Sequence, residues 1–431
     1  MRPGARISAA IEVLTEVTDR HRPIALALAD WGKAHRFAGS GDRNAIGNLV
    51  YDALRRRTSL AFAMGGDTPR GIALGAAPAA FDVAPQDVIA FCTGEDHSPA
   101  PLDERETAGL LSPPTGAAPH IAADVPEWLW PEFAAQFGDR ATAEGQGLAT
   151  RAPADLRVNS HKSTRERVLK SLASFEPQPT PLSPLGIRIA APKGSARTPN
   201  LQAEAAFQAG WFEVQDEGSQ IAAALAGAGP RLQVLDLCAG AGGKTLAMSA
   251  AMQNTGQIYA YDDDRDRLKA IFERVKRAAA RNIQVLRARD HAALAALGDR
   301  FDAVLVDAPC TGTGVWRRRP EAKWRLKEAN LQTRLSEQVA VLDTASRHVK
   351  PGGRLVYVTC SLLARENTAQ VRAFIERHPA FRVVPYGDAW RAALGDTPPD
   401  SADGSRETLL LTPASHGTDG FFIAVLERAA E

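Results

Sequence analysis

The chain has few cysteines, no excess of charge of one sign and no long apolar segment. Four cysteines occur among 431 residues and none forms a CxxC pair, which excludes a zinc ribbon and argues against a disulfide scaffold. A net charge of +1 argues against a strongly cationic coat, although a local basic groove is compatible with it. No segment approaches the roughly 18 apolar residues of a membrane span, and the N-terminus lacks an apolar signal core. We therefore expect a cytoplasmic protein with reduced thiols, no membrane association and no metal.

The first third of the chain is predicted to be helical. Residues 5–65 show apolar residues at helical spacing, with one helix start near Ser40 or Asp42. Residues 93–126 are rich in Pro, Ala, Gly and acidic side chains, which is typical of a loop or linker. Residues 127–150 are predicted to form one short packed helix.

From residue 155 onwards short strands and helices alternate. The first part is a small α+β module with a strand at 156–159, a helix starting at Ser163 with Glu166 completing a capping box, a strand at 186–190, a helix starting at Asn200 and a strand at 211–214. The remainder predicts a doubly wound α/β domain with strands at 233–237, 257–261, 283–287, 302–306, 354–359 and 421–426. The predicted domains are residues 1–135, 136–214 and 215–431.

A glycine-rich turn follows the first buried strand of the α/β domain. It consists of Cys238, Ala239, Gly240, Ala241, Gly242, Gly243 and Lys244. Glycines let a backbone turn tightly and approach a ligand closely. The end of the turn, with Gly243 and Lys244, is similar to the end of a phosphate-binding P-loop. That motif requires a glycine at the position of Cys238, so the sequence disfavours a nucleotide triphosphatase.

Acidic residues follow the second and third strands and favour a nucleoside cofactor. Asp262 stands where a carboxylate would bind ribose hydroxyls, and Asp290 lies where an adenine would sit. The alternative is that Asp262 caps the next helix, a role that Asp264 could also serve.

Two cysteines follow two further strands at the same predicted edge of the sheet. Asp307 and Cys310 come after the fourth strand, and Cys360 follows the fifth. Because the first, fourth and fifth strands are neighbours in a doubly wound sheet, Cys238, Asp307 and Cys360 should share one rim. A single cysteine is most often a small buried apolar residue, whereas two at matching strand ends indicate chemistry.

The chemistry that fits two thiols and a carboxylate is methyl transfer to carbon 5 of cytosine. A thiolate that adds to carbon 6 makes carbon 5 able to take a methyl group from a sulfonium donor. Negative charge develops at N3 and O2, where Asp307 is the candidate acid, and a second thiolate can then remove the carbon 5 proton. Because a free thiol has a pKa of ~8.5, the site must lower that pKa or deprotonate the thiol as the base binds. Either thiol could add to carbon 6 on chemical grounds, and the Pro-Cys sequence at Cys310 is similar to the nucleophile of DNA cytosine methyltransferases.

Several sequence blocks resemble the signatures of the Sun/RsmB family of RNA cytosine-C5 methyltransferases. The blocks begin at Gln215, Cys238, Asp307, Tyr357 and Asp419. The strand at 156–159 with its following helix resembles the family's RRM-like RNA-binding module, and the helical start is similar to a NusB-like domain. The resemblance implies a class I Rossmann-like methyltransferase domain, preceded by an RRM-like module and an N-terminal all-α NusB-like domain.

The resemblance also implies the cofactor and its contacts. Residues Cys238 to Lys244 would wrap the methionine end of S-adenosylmethionine, Asp262 would hold the ribose and Asp290 would lie near the adenine. The turn departs from the family's Ala-Ala-Pro-Gly-Gly pattern at Gly240 and Ala241, while Gly-Gly-Lys is retained.

The resemblance implies distinct roles for the two thiols. Asp307 would lie between cofactor and target base, Cys360 would be the nucleophile and Cys310 would help to release the product. The family resemblance therefore makes Cys360 the nucleophile, whereas the Pro-Cys sequence favours Cys310.

The expected substrate is a single-stranded or flipped-out cytosine in small-subunit ribosomal RNA, methylated by a monomer. Cations interleaved with tryptophans at 316–325 suit RNA contact, although a loop with its tryptophans packed inward is the alternative. Further RNA contacts are expected from Arg157, Lys162, Arg165 and Arg167. The alternative functions are a tRNA cytosine-C5 methyltransferase and a catalytically idle RNA-binding assembly factor.

Overall fold

The structure is a computed structural model that describes residues 1–395 and 397–430. The chain forms two compact units. The first comprises Met1–Ala152, Ala191–Pro199 and Trp316–Arg325, and the second comprises Pro153–Ala190, Asn200–Val315 and Leu326–Glu431. Among the described residues, no helix is long and apolar enough to cross a membrane.

Helices occur in both units. Within the described residues the α-helices are α1 (Pro3–Thr18), α2 (Ile24–Ala34), α3 (Ser40–Arg55), α4 (Arg57–Met64), α5 (Pro69–Phe81), α6 (Pro85–Phe91), α7 (Glu104–Leu111), α8 (Pro119–Ala122), α9 (Trp130–Phe137), α10 (Ala141–Leu148), α11 (Arg165–Ser171), α12 (Ala205–Gln208), α13 (Glu217–Leu225), α14 (Gly243–Ala251), α15 (Arg265–Lys269), α16 (Ile271–Ala278), α17 (His291–Ala295), α18 (Pro320–Arg325), α19 (Glu328–Ser346), α20 (Thr368–Arg377), α21 (Tyr386–Leu394) and α22 (Pro413–His416). Short 3₁₀ helices lie at Glu127–Leu129, Gly138–Arg140, Ala173–Phe175, Leu201–Ala203 and Thr313–Val315.

All strands of the described residues belong to the second unit. They are β1 (Ala154–Val158), β2 (Gln178–Pro179), β3 (Gly186–Ile189), β4 (Phe212–Val214), β5 (Gln233–Asp236), β6 (Gln257–Ala260), β7 (Ile283–Val285), β8 (Phe301–Asp307), β9 (Val349–Thr359), β10 (Phe381–Val384), β11 (Leu409–Leu411) and β12 (Phe421–Arg428).

The first unit is an all-α domain whose core lies between α1, α3 and α5. Ile7, Leu14 and Leu49 are fully buried there, as their helical spacing predicts. The predicted helix start near residue 40 is confirmed, since α3 begins at Ser40 and the Asp42 side chain accepts a hydrogen bond from the Gly39 amide.

Two predictions for the helical part were wrong. Residues 93–126 contain α7 and α8 and are not simply a linker. Helix α7 begins with a capping box between Asp103 and Glu106, and it packs on α4. Residues 127–150 form α9 and α10 instead of one helix, because Gly138 has a φ of 54° between them. Residues 136–152 lie in the helical unit, and the domain boundary at 135 stays a prediction.

The basic and aromatic segment 316–325 belongs to the helical unit, and four of its residues are buried: Trp316, Arg317, Pro320 and Lys323. The Lys323 ammonium is fully buried and donates to the Arg55 and Asp124 carbonyls, both at 2.8 Å. Its burial lowers the pKa of Lys323 to about 8. Trp316 is also buried, and the Trp324 indole donates to a main-chain carbonyl of α3. The predicted RNA contact through these three side chains is therefore wrong, and the inward-packed alternative is correct.

The small module is an antiparallel sheet in the order β2-β3-β1-β4, with α11 packed on it. The predicted capping box at Ser163 and Glu166 was wrong by one residue. Thr164 is the N-cap, and its side chain accepts from the Arg167 amide at 3.3 Å. The helix predicted from Asn200 is only a 3₁₀ turn followed by the four-residue α12.

The large sheet has the strand order β10-β12-β9-β8-β5-β6-β7, and β11 pairs with β12. Strands β5 to β9 are parallel, whereas β10, β11 and β12 pair antiparallel. All six strands predicted for this domain are present, and β10 and β11 were missed. Strand β8 lies between β5 and β9, so the predicted rim is confirmed.

Candidate active site

Three neighbouring strands bring the predicted catalytic residues to one edge of the sheet. Strands β5, β8 and β9 run parallel, and Asp307 at the end of β8 pairs with Val358 near the end of β9. The main chains of the two loops beyond these strands are joined, because the Gly314 amide donates to the Cys360 carbonyl at 2.9 Å. The loops therefore have a fixed relative position at this rim.

The two cysteines form a close pair. The Sγ atoms of Cys310 and Cys360 lie 3.4 Å apart, and both residues are half-buried. The hydrogen bond with Cys360, together with burial, raises the pKa of Cys310 well above its usual range. Cys310 is consequently a neutral thiol in the free protein at neutral pH. Any role as a base requires that it lose its proton after the substrate binds.

The carboxylate at this rim is held by a lysine from the glycine-rich turn. Lys244 Nζ lies 2.6 Å from Asp307 Oδ2, with the lysine buried and the carboxylate about one third exposed. The ammonium also lies over the Phe421 ring, 5.3 Å from its centroid. This ion pair links the end of β8 to the start of α14.

A cavity of about 200 Å³ lies beside this ion pair. Its lining residues are Val214, Gln215, Ser219, Asp236, Cys238, Ala239, Gly240, Ala241, Gly243, Lys244, Arg267, Arg274 and Asp307. Of the predicted cofactor residues, Gly242, Asp262 and Asp290 are not part of this wall. Gly242 is required for another reason: its φ is 81° and a Cβ there would lie 2.4 Å from the Ile271 side chain.

The two acids predicted for the nucleoside end have defined partners. Asp262 is buried, and its carboxylate accepts from the amides of Gly240 and Asp264, both at 2.8 Å. Asp264 is the N-cap of α15, so the alternative of Asp262 as that cap is excluded. Asp290 is the N-cap of α17 and accepts from the Ala293 amide. Contacts of both acids with a cofactor stay predictions.

Asp236, which sequence reasoning missed, is a buried acid that lines the cavity. Its Oδ2 accepts from the Thr245 hydroxyl at 2.6 Å, while Oδ1 is buried without a hydrogen-bond partner. Burial is the largest cause that raises the pKa of Asp236 to about 7. An acid inside the apolar strand 234–237 was the signal that could have identified it.

Asp236→Asn is expected to stabilise the protein in a pH-dependent way. The folded-state pKa of about 7 exceeds the usual 3.8, so ionisation of this group disfavours folding. That cost is absent below about pH 4, grows as the pH rises from about 4 to about 7, and is constant at higher pH. We expect the variant to gain roughly 1–3 kcal/mol of unfolding free energy at pH 8 and little at pH 4.5. Urea unfolding at both pH values measures this, and a less stable variant at pH 8 would contradict it.

The residues predicted to contact RNA from the small module are in part structural. The buried Arg157 guanidinium donates to Gln215 Oε1 and to the Gly243 carbonyl, both at 2.8 Å, and burial lowers its pKa to about 10. Lys162 Nζ donates to the Arg277 carbonyl of α16. The predicted RNA contact of Arg157 is therefore wrong: this side chain holds the glycine-rich turn. Arg167 is exposed and stacks on Trp211 at 3.9 Å.

Two family models match the chain, and both matches lie beyond residue 124. A family model described as 16S rRNA methyltransferase RsmB/F matches residues 225–427. A second model, described as an RsmF/B-like ferredoxin-like domain, matches residues 125–195.

Curated relatives support the same family, and a solved structure supports the fold. A probable ribosomal RNA small subunit methyltransferase B from Synechocystis sp. is 32% identical over 308 residues, covering 70% of this chain and 67% of the relative. Ribosomal RNA small subunit methyltransferase B from Xylella fastidiosa is 36% identical over 313 residues, covering 72% and 70%. The structure of NSun6 from Pyrococcus horikoshii with SFG has a TM-score of 0.63 at 21% identity, covers 71% of this chain and 99% of that one, and supports the fold alone. The chain belongs to the RsmB/F family of RNA methyltransferases, as its sequence blocks predicted.

Proposed function

We propose that this RNA methyltransferase uses S-adenosylmethionine to form 5-methylcytosine in small-subunit ribosomal RNA. The observation that carries the proposal is the pair of thiols, Cys310 and Cys360, 3.4 Å apart at the same rim of the sheet as Asp307. Methylation of carbon 5 requires one group that adds to carbon 6 and another that removes the proton from carbon 5, and the two thiols can supply both. The names of the curated relatives support ribosomal RNA as the substrate.

The cavity residues fit S-adenosylmethionine. The unpartnered Asp236 Oδ1 can accept from the cofactor's amino group, and the glycine-rich turn leaves its backbone open to the methionine end. Asp262 and Asp290 would hold the ribose and lie near the adenine. When bound, S-adenosylmethionine supplies an electrophilic methyl group on its sulfonium sulfur. The NSun6 structure, which has the same fold, was determined with SFG, an analogue of S-adenosylmethionine.

The chain's own residues would then act in sequence on the cytosine. The Cys360 thiolate forms a bond to carbon 6, and Asp307 near N3 shares the proton that N3 gains, balancing the one that Cys360 gives up. Carbon 5 can then accept the methyl group. Cys310 loses its own proton to solvent and, as a thiolate, removes the carbon 5 proton. The double bond between carbons 5 and 6 forms again, the bond from Cys360 to carbon 6 breaks, and the N3 proton returns through Asp307 to the departing Cys360 sulfur.

Nucleoside analysis of methylated RNA tests the proposal. Purified protein is incubated with labelled S-adenosylmethionine and either small-subunit ribosomal RNA or tRNA, and the RNA is digested for mass spectrometry. Labelled 5-methylcytidine from ribosomal RNA supports the proposal, and bisulfite sequencing then locates the nucleotide. Label in tRNA alone favours the tRNA alternative. A protein that neither binds the cofactor nor labels RNA would be the idle assembly factor.

A further inference from the structure

Glu366 is a fully buried carboxylate that hydrogen-bonds to both cysteine loops. It lies in the segment between β9 and α20. Its Oε1 accepts from the Thr311 amide at 2.8 Å and from Gln338 Nε2 at 3.0 Å. Its Oε2 accepts from the hydroxyls of Thr311 and Ser361. Thr311 directly follows Cys310 and Ser361 directly follows Cys360, so one side chain connects the two reactive positions.

The network around Glu366 extends to the other side of the Cys310 residue. Gln338, buried on α19, also donates from Nε2 to the Pro309 carbonyl at 2.9 Å. Pro309 and Thr311 flank Cys310, and both are thereby held through the Glu366–Gln338 pair. Buried polar groups of this kind are costly to leave unpaired, so each partner fixes the others.

The two carboxylate oxygens of Glu366 accept four hydrogen bonds. A side chain in this place must therefore act only as an acceptor, as a carboxylate does. A glutamine in the same place would offer one acceptor oxygen and an amide that must itself find acceptors. The charge of Glu366 also raises the pKa of Cys310, after the hydrogen bond with Cys360, burial and the charge of Cys360. The network therefore affects both the place and the protonation of Cys310.

We propose that Glu366 is a positioning residue that sets the place of Cys310 relative to Cys360 for product release. This inference rests on the proposed two-thiol reaction. Cys360 and Cys310 must reach carbons 6 and 5 of the same base in turn, so a shift of one loop against the other would impair the second step. Such misplacements cost roughly 10- to 100-fold in rate.

Glu366→Gln tests the proposal by two readouts that a general loss of stability would not produce. We expect kcat to fall about 10- to 100-fold with KM for RNA changed less than about twofold. We also expect a covalent RNA–protein adduct to accumulate during turnover, visible as a slower band on a denaturing gel, because addition to carbon 6 continues while release is slow.

A second pair of variants keeps the test decisive if Glu366→Gln fails to fold. Thr311→Val removes the hydroxyl donor to Glu366 at nearly constant volume, and Thr311→Ser retains it. Adduct accumulation and slower turnover with valine, and neither with serine, support the proposal. Asn282→Ala should produce no adduct, because it disturbs a buried polar network just before β7, at the far edge of the sheet from the thiols.

The outcomes separate this inference from the proposed function. Variants at Glu366 and Thr311 that turn over at the wild-type rate without an adduct would overturn the positioning role while 5-methylcytosine formation stands. Wild-type protein that makes no 5-methylcytosine would overturn the proposed function, and the positioning role with it.

Discussion

Cys360→Ala is expected to abolish methylation, with a loss of more than about 1000-fold in kcat. Without the sulfur, no group at the rim can add to carbon 6, and carbon 5 stays too weak a nucleophile to take a methyl group. The substitution removes one atom from a half-buried side chain, so cofactor binding should remain within about twofold of wild type. Single-turnover transfer of labelled methyl to RNA measures the rate, and calorimetry measures the cofactor affinity.

Cys92→Ala is the matched control for the loss of a thiol. Cys92 is buried in the helical unit, and burial raises its pKa to about 11, so it is an unreactive thiol. This variant should retain methylation. Substantial methylation by Cys360→Ala, with Cys92→Ala also active, would show that the nucleophile lies elsewhere.

Cys310→Ala is expected to stop the reaction one step later and to leave RNA covalently bound. Addition by Cys360 and methyl transfer do not use the Cys310 sulfur, but removal of the carbon 5 proton does. The methylated base therefore stays attached to the protein. Incubation with RNA and S-adenosylmethionine should give a slower band on a denaturing gel, in which most of the protein shifts at excess RNA.

The double variant Cys310→Ala/Cys360→Ala tells the two thiols apart. It should give no adduct, because the attacking sulfur is missing. If instead the adduct accumulates with Cys360→Ala and not with Cys310→Ala, the roles of the two thiols are reversed. The 3.4 Å separation of their sulfurs allows either order, and the assignment comes from the family resemblance.

The rim of the sheet could be predicted because its signals are local. The strands that end at Asp236, Asp307 and Thr359 each contain a short apolar run near their carboxyl end, and the topology of a doubly wound sheet makes these strands neighbours. The glycine-rich turn and Cys360 directly follow such strands, and Cys310 comes three residues after the end of β8. Sequence periodicity and one topological rule were therefore sufficient to bring Asp307 and both thiols together.

The partners of these residues could not be predicted, because they are distant in the chain. Glu366 gathers donors from three separate segments, and nothing near it in the sequence indicates that they meet. The segment at 316–325 shows the same limit. Its cations and tryptophans are compatible with RNA contact and with inward packing. The hydrogen bonds that Lys323 donates to the Arg55 and Asp124 carbonyls show that the segment packs inward, and both acceptors are distant in the chain.

Short helices and their caps were not predicted from the sequence, for a related reason. Helix α7 has eight residues in a segment rich in proline and glycine, so its composition favours a loop. It is stabilised by the reciprocal bonds of Asp103 and Glu106 and by packing of its buried Leu110. Tertiary packing of this kind overrides local propensity and leaves little trace in the sequence.

Peptide mapping of the adduct formed by Cys310→Ala is the most direct test of the two-thiol account. The adduct is digested with protease and nuclease, and tandem mass spectrometry identifies the modified residue and the mass of the attached nucleotide. The account predicts a cytidine that already carries the new methyl group, attached to Cys360. Attachment at another residue such as Cys238, or an attached cytidine without the methyl group in the presence of S-adenosylmethionine, would contradict it.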